Sequence, residues 1–175
     1  MIFSKPLYYI FNVKDHSLQR EKILAEIDKF DHRHFHPEGE GFISNTNWGV
    51  TNDCIEWFNF SFSDRDKLNY TKFIQKKFKK NFGGRNIWFN QYYPNSGSQH
   101  NYHDHLYCSL VNIYYVELED KSLRTILKHP KTGKEIVPRV KEGQILIFSG
   151  KIMHRSPQNY TNTTKTVVSF NIDFI

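Results

Sequence analysis

Tyr102-His103-Asp104-His105, set just upstream of the β-rich run SLVNIYYVEL at 109–118, decides how this chain is read. In an extended strand side chains alternate faces, so His103 and His105 point one way and Asp104 the other. Two imidazoles on one face make half of a metal clamp. A third, His154, follows the strand-like QILIF at 144–148, and Lys165 opens the terminal strand. Histidine, spacer, histidine, then a distant histidine and a base, all on strands, is the layout of a metal site inside a small β-barrel. A His-x-His pair alone is weak, because such pairs at strand edges are often polar surface. The distal His154 and Lys165 give it weight.

The rest of the sequence bounds what can hold such a site. At 175 residues, 16% of them aromatic, the chain is long enough for one domain, 1–175, with its own core. A net charge of +6 favours acidic partners or an anionic co-substrate but falls short of a nucleic-acid-binding signature. Cys54 and Cys108 are the only cysteines and share no spacing motif. No apolar run is long enough to cross a bilayer, and Lys5 and Pro6 interrupt what would be a signal peptide's apolar segment. A reducing, cytoplasmic setting with free thiols is the expectation. Exposed aromatic residues are consistent with a homodimer.

Outward from the histidines, the periodicity predicts helices first and strands after. LYYIFNV at 7–13 is aromatic and β-branched, an opening strand. Asp15 or Ser17 then caps a helix to about Phe30, with Ile23, Leu24, Ile27 and Phe30 on its apolar face. Residues 31–53, rich in Gly and Asn, read as loop, and 55–62 alternates as a strand. A second helix over 64–82 turns Tyr70, Phe73, Ile74 and Phe78 inward and ends at Gly83-Gly84. Further strands are expected at 86–93, 102–105, 109–118, 122–127, 135–140, 144–148 and 165–175. Turns at 131–134 and 141–143 read as hairpins. The fold expected from this order is mainly β with packed helices: a double-stranded β-helix, the jelly-roll or cupin-like barrel, with helices on one sheet.

Neutral imidazoles bind divalent iron, zinc, copper and nickel, and a facial set of three ligands leaves open positions for oxygen and a co-substrate. At this point the residues resemble a family. GQILIF at 143–148, then His154, then Lys165 followed by Ser169-Phe170-Asn171, is similar to the C-terminal half of the 2-oxoglutarate and Fe(II)-dependent oxygenases. The closest likeness is to their small prolyl-hydroxylase-like group of bacteria and phages, whose metal strand reads His-x-His, then Ser, then Tyr-Tyr-Val. Here those are His103 and His105, Ser109, and Tyr114-Tyr115-Val116; the opening IFSKPLY at 2–8 also resembles that group's start. The likeness covers most of the chain and is specific from Trp88 onward.

The resemblance implies a hydroxylase that uses iron(II), 2-oxoglutarate and molecular oxygen on a small-molecule or peptide substrate, most simply a peptidyl proline or another amino acid. It implies His103 and His154 as metal ligands and His105 where most of the superfamily has Asp. Lys165 stands where most members have an Arg that pairs with the distal carboxylate of 2-oxoglutarate. Lys holds a carboxylate as a point charge without the bidentate fork. Asn90 and Tyr92 resemble an Asn-x-Tyr pair that contacts 2-oxoglutarate, and read equally well as core residues. Ser109 and Tyr115 read as packing, and Val167 stands where relatives often carry a co-substrate Ser.

Two alternatives stay open: a non-catalytic, cupin-like metal or ligand-binding protein, and a three-histidine iron dioxygenase that does not use 2-oxoglutarate. A bulge in the metal strand would turn Asp104 inward in place of His105. His32, His34 and His36 also alternate, but within a Pro- and Gly-rich stretch they read as surface histidines. The KKFKK run at 76–80 reads as the solvated face of a helix.

Overall fold

Strands whose side chains are apolar at nearly every position, rather than at alternate ones, have to be covered on both faces. That is the case for IYYV at 113–116 and ILIF at 145–148, while the Lys165–Phe174 strand, half polar in sequence, is buried at eight of its ten positions; all three lie inside a six-stranded antiparallel sheet. The computed structural model describes residues 6–30, 41–48 and 61–175. Its elements are β1 (Tyr8–Asn12), α1 (His16–Ile27), β2 (Gly41–Phe42), β3 (Asn45–Thr46), α2 (Asp64–Phe78), β4 (Phe82–Tyr92), β5 (Gln99–His103), β6 (Leu110–Leu118), a 3-10 turn (Lys121–Leu123), β7 (Ile126–Lys128), β8 (Glu135–Ile136), β9 (Gln144–Ser149), β10 (His154–Ser156) and β11 (Lys165–Phe174).

The six-stranded sheet runs β1-β9-β6-β11-β4-β3 and a five-stranded sheet runs β2-β5-β10-β7-β8. Alternation divides each long strand between two cores. Ile145 and Ile147 of β9, Tyr114 and Val116 of β6, and Val168 and Phe170 of β11 pack with Ile23 and Ile27 of α1 and with Tyr70 and Ile74 of α2. Their neighbours Leu146, Phe148, Val111, Ile113, Tyr115 and Val167 pack with Leu127 of the five-stranded sheet, in the space between the sheets. Each fully buried Ile or Leu contributes roughly 1.5–3 kcal/mol, so the site is held by apolar burial on both sides of one sheet. Asp66, fully buried in the first turn of α2, accepts the Lys14 and Asp15 backbone N–H groups at 2.8 and 3.0 Å and ties the second helix to the start of the first.

The jelly-roll expectation holds, with local corrections. The predicted loop contains β2 and β3, because Gly41-Phe42 and Asn45-Thr46 pair with β5 and β4 at sheet edges, where two residues suffice. Most of the strand expected at 55–62 lies outside the described residues, but Ser61 and Phe62 are not strand. The second helix stops at Phe78, capped by Lys79 in the left-handed region at φ 57°, with its N–H on the Gln75 carbonyl. Gly83 and Gly84 are instead early residues of β4. The 122–127 strand divides into the 3-10 turn and β7, and β8 is shorter than expected. Residues 131–134 do close the β7-β8 hairpin, with Gly133 at φ 67°. The 141–143 turn is not a hairpin: β8 and β9 lie in different sheets. His32, His34, His36 and Cys54 lie outside the described residues; Cys108 is a buried free thiol.

Candidate metal and anion site

Between the sheets lies a pocket walled by side chains of both, among them Trp88, Asn90, Ile113, His154 and Lys165. His103, His105 and His154 meet there, each offering a ring nitrogen within 4.8 Å of the others. His103 ends β5 and His154 begins β10; they are directly paired across the sheet, with ring centroids 4.2 Å apart. His105 arrives differently from the sequence expectation. It lies beyond β5, in a turn whose N–H groups are both engaged: His105 N donates to the Gly150 carbonyl at 2.8 Å and Cys108 N to the His105 carbonyl at 3.0 Å. Gly150 is needed for that approach, since a Cβ there would overlap the carbonyl oxygens of His105 and Cys108. Asp104 stays outside the cluster.

The hydrogen bonds behind the rings test whether these histidines fit a metal. The Nδ1 atoms of His103 and His154 lie 2.8 Å from the Asn101 carbonyl and 3.1 Å from the Ile152 carbonyl. A carbonyl can only accept, so each Nδ1 carries the proton and each Nε2 the lone pair, the arrangement that ligating histidines adopt. For His105, the Tyr107 hydroxyl at 2.8 Å can accept the same Nδ1 proton. The Asn171 Nδ2 amide, 3.1 Å from the same nitrogen, demands the opposite tautomer, while Asn171 Oδ1 is buried with no partner among the described residues. A half-turn of that amide brings Oδ1 to the ring and gives all three histidines one tautomer.

Burial favours the neutral form of His105 and His154, the form in which they ligate. It pushes His105 down to about 4, helped by the neighbouring His103, and carries His154 well below its ordinary value. A three-imidazole set, two of its rings buried and the third half-buried, suits a first-row divalent ion such as iron. A column of rings backs it: Trp48 stacks on Trp88 at 5.9 Å and 20°, Trp88 on His105 at 5.9 Å and 18°, and His105 on His154 at 5.3 Å and 20°.

At the other end of the pocket is Lys165, 1% exposed, whose Nζ donates to Ser156 Oγ at 2.8 Å and lies 5.0 Å from the Tyr92 ring centroid. Burial lowers its pKa to about 7. Among the described residues it forms no ion pair, and no Asp or Glu lines the pocket. A buried ammonium without a counter-charge is costly unless an anion joins it. Asn90 and Tyr92 line the same pocket from β4, as expected from their shared face. Asn90 Oδ1 already accepts the Thr46 hydroxyl at 2.7 Å, and Tyr92 is the direct cross-strand partner of Lys165.

Residues given no site role from the sequence complete the site: Trp88, His100, Ser156, Asn171 and Gly150. The density of histidines at 100–105 was a signal for His100, but strict alternation turns it away from His103. The structure turns both inward through a bulge in β5.

No family model matches the chain, and no curated protein matches it. Solved structures do. The chain is similar to the viral collagen prolyl hydroxylase of Paramecium Bursaria Chlorella virus-1 in its 2-oxoglutarate complex, at 11% identity over 98% of each chain and a TM-score of 0.61. It is similar to an oxidoreductase of the 2OG-Fe(II) oxygenase family from Burkholderia pseudomallei, at 10% identity over 95% of this chain and 85% of that one, TM-score 0.70. A prolyl hydroxylase from Trichoplax adhaerens, bound to a hypoxia inducible factor peptide fragment, matches at 14% identity over 95% and 84%, TM-score 0.62. The fold is that of the 2-oxoglutarate oxygenases.

Proposed function

We propose that the chain is an Fe(II)- and 2-oxoglutarate-dependent dioxygenase that hydroxylates an unactivated carbon, with a peptidyl proline or another amino acid as the substrate class. The observation that carries this reading is the pairing, in one pocket, of a three-imidazole cluster and a buried lysine that has no counter-charge among the described residues. A 2-oxo dicarboxylate matches both ends: one carboxylate and the keto oxygen face the metal end, and the distal carboxylate faces Lys165.

His103, His105 and His154 would hold the iron through Nε2. Iron(II), when bound, supplies the redox chemistry by which oxygen decarboxylates 2-oxoglutarate to succinate and carbon dioxide and leaves one oxygen atom for the substrate carbon. The protein's part is orientation and exclusion of water. Lys165 draws in the co-substrate's distal end, Ser156 fixes the Lys165 ammonium, and Trp88, Val111, Ile113 and Val167 keep the reacting region dry. Asn90 and Tyr92 wall the co-substrate side. The peptide or amino-acid substrate is supported by the prolyl hydroxylases of the same fold and by Leu106 and Tyr107, exposed by 67% and 48% next to His105.

The test is anaerobic. Addition of iron(II) and 2-oxoglutarate together gives the weak visible charge-transfer band of the chelate, and neither alone does. Iron bound without that band overturns the reading in favour of a three-histidine dioxygenase that takes no 2-oxoglutarate.

A further inference from the structure

β5 carries one residue more than the strand beside it. His103 pairs with His154 and His100 with Ser156, so three steps along β5 match two along β10. An extra residue of this kind swaps the face of everything on one side of it. Here it turns His100 onto the His103 face, and the two rings stack with centroids 3.8 Å apart and planes at 20°. The pocket therefore has two levels. The His103–His154 pair marks the metal level, and the His100–Ser156 pair marks the level at which Ser156 Oγ accepts from the Lys165 ammonium at 2.8 Å. His100 is 5% exposed and lines the pocket with Lys165.

We infer that His100 is a second hydrogen-bond donor to the distal carboxylate of the co-substrate, acting beside Lys165 and so selecting a dicarboxylic 2-oxo acid over a monocarboxylic one. This rests on the proposed 2-oxoglutarate reading. A carboxylate has two oxygens, and an ammonium meets them as a point charge rather than as the planar fork of a guanidinium. One N–H of a neutral imidazole, fixed on the adjacent strand by its stack on His103, supplies the second direction of approach. The bulge is what brings that donor to the ammonium's level.

The experiment compares 2-oxoglutarate with 2-oxobutyrate, which has the same keto acid end and no distal carboxylate, by calorimetry on manganese(II)-loaded protein. His100→Phe keeps a ring to stack on His103 and removes both nitrogens. It is expected to weaken 2-oxoglutarate binding about tenfold or more, the effect of one hydrogen bond to a charged group. Binding of 2-oxobutyrate and of manganese stays within about twofold. His100→Gln, which retains an N–H donor, recovers most of the loss. Unchanged 2-oxoglutarate affinity in His100→Phe, equal weakening of both acids, or loss of manganese overturns the inference, the last two by showing that His100 only supports the architecture. Lys165→Ala is the control. If it weakens 2-oxoglutarate while His100→Phe does not, this inference alone fails; if it leaves 2-oxoglutarate affinity unchanged, the reading beneath fails as well.

Discussion

The two sheets of this barrel are built to different standards. In the six-stranded sheet, β4, β6 and β11 run for 11, 9 and 10 residues and bury apolar side chains on both faces. In the five-stranded sheet no strand exceeds five residues, β5 is bulged, and its central cross-strand pair consists of two histidines. One sheet supplies stability and the other supplies aim. Long strands fix the direction of most of their side chains by alternation, with register shifts only at Thr166/Val167 and Asn171/Ile172, whereas short, interrupted strands let individual residues be turned toward a common point. The site uses both, since Lys165 comes from the long-stranded sheet and the three imidazoles come from the short-stranded sheet and the turn after it.

This contrast is sharpest where a change affects one property and not the other. The largest effect is expected at the metal end. His103→Ala and His154→Ala should each lower manganese(II) or iron(II) affinity by more than the roughly 10- to 100-fold that changes behind a metal ligand cost, with the melting temperature little altered. His105→Asp should retain metal, and Asp104→Ala should behave as the parent; loss of metal in Asp104→Ala but not in His105→Ala would show that the ligand set is wrong by one residue.

On the opposite side of the comparison, Ile147→Ala removes a fully buried side chain from the core between sheet and helices. It should cost about 2–5 kcal/mol in urea unfolding and leave metal affinity of the folded protein unchanged. If metal affinity fell in proportion, the two sheets would not be separable in this way.

Lys165→Met tests a residue in which the two demands conflict. It should remove 2-oxoglutarate binding while stabilising the ligand-free protein by about 1–4 kcal/mol, because a buried charge with no counter-charge among the described residues is replaced by an apolar side chain. The pH dependence has a definite sign. The folded pKa, about 7, lies below the ordinary lysine value of 10.5, so the destabilisation by Lys165 is complete below pH 7 and fades as pH rises toward the unfolded value. The advantage of Lys165→Met is therefore greatest at pH 6 and shrinks above pH 7. In the parent protein, 2-oxoglutarate affinity should fall by up to about tenfold per unit above pH 7 as the ammonium is lost, and Lys165→Arg should flatten that profile. A flat profile in the parent would mean that the carboxylate is held elsewhere.

The smallest expected effect is at Asn171, behind His105. Asn171→Leu removes the amide and should weaken metal binding about tenfold, whereas Asn171→Asp, which keeps an oxygen facing Nδ1, should not. Nitrogen-15 shifts of His105 in the metal-free protein report the tautomer directly.

The sequence made the long-stranded sheet legible and the short-stranded one only partly so. The runs at 113–116 and 145–148 announce a doubly covered sheet because burial on both faces leaves no other composition available. His103, His154 and Lys165 could be found because they stand at strand ends, next to those runs. His100 could not, because its orientation depends on an extra residue that no local pattern in QHNYH at 99–103 betrays. His105 was expected on the right face for an incomplete reason: it reaches the cluster from a turn anchored on Gly150, a contact made across 45 residues of chain. β2 and β3 were hidden because Gly and Asn carry little strand propensity and edge pairing alone makes them strands.

The ring column beside the metal end has an optical consequence. Trp48 and Trp88 are two of the chain's three tryptophans, and the indole of Trp88 lies face to face with the His105 imidazole. A paramagnetic ion held by that imidazole opens a non-radiative route for an excited indole whose ring centre lies 5.9 Å from the imidazole's. Ultraviolet emission should then dim as iron(II) or manganese(II) is taken up and stay bright with closed-shell zinc(II). The fold thus contains its own dye, and loading can be followed on unlabelled protein.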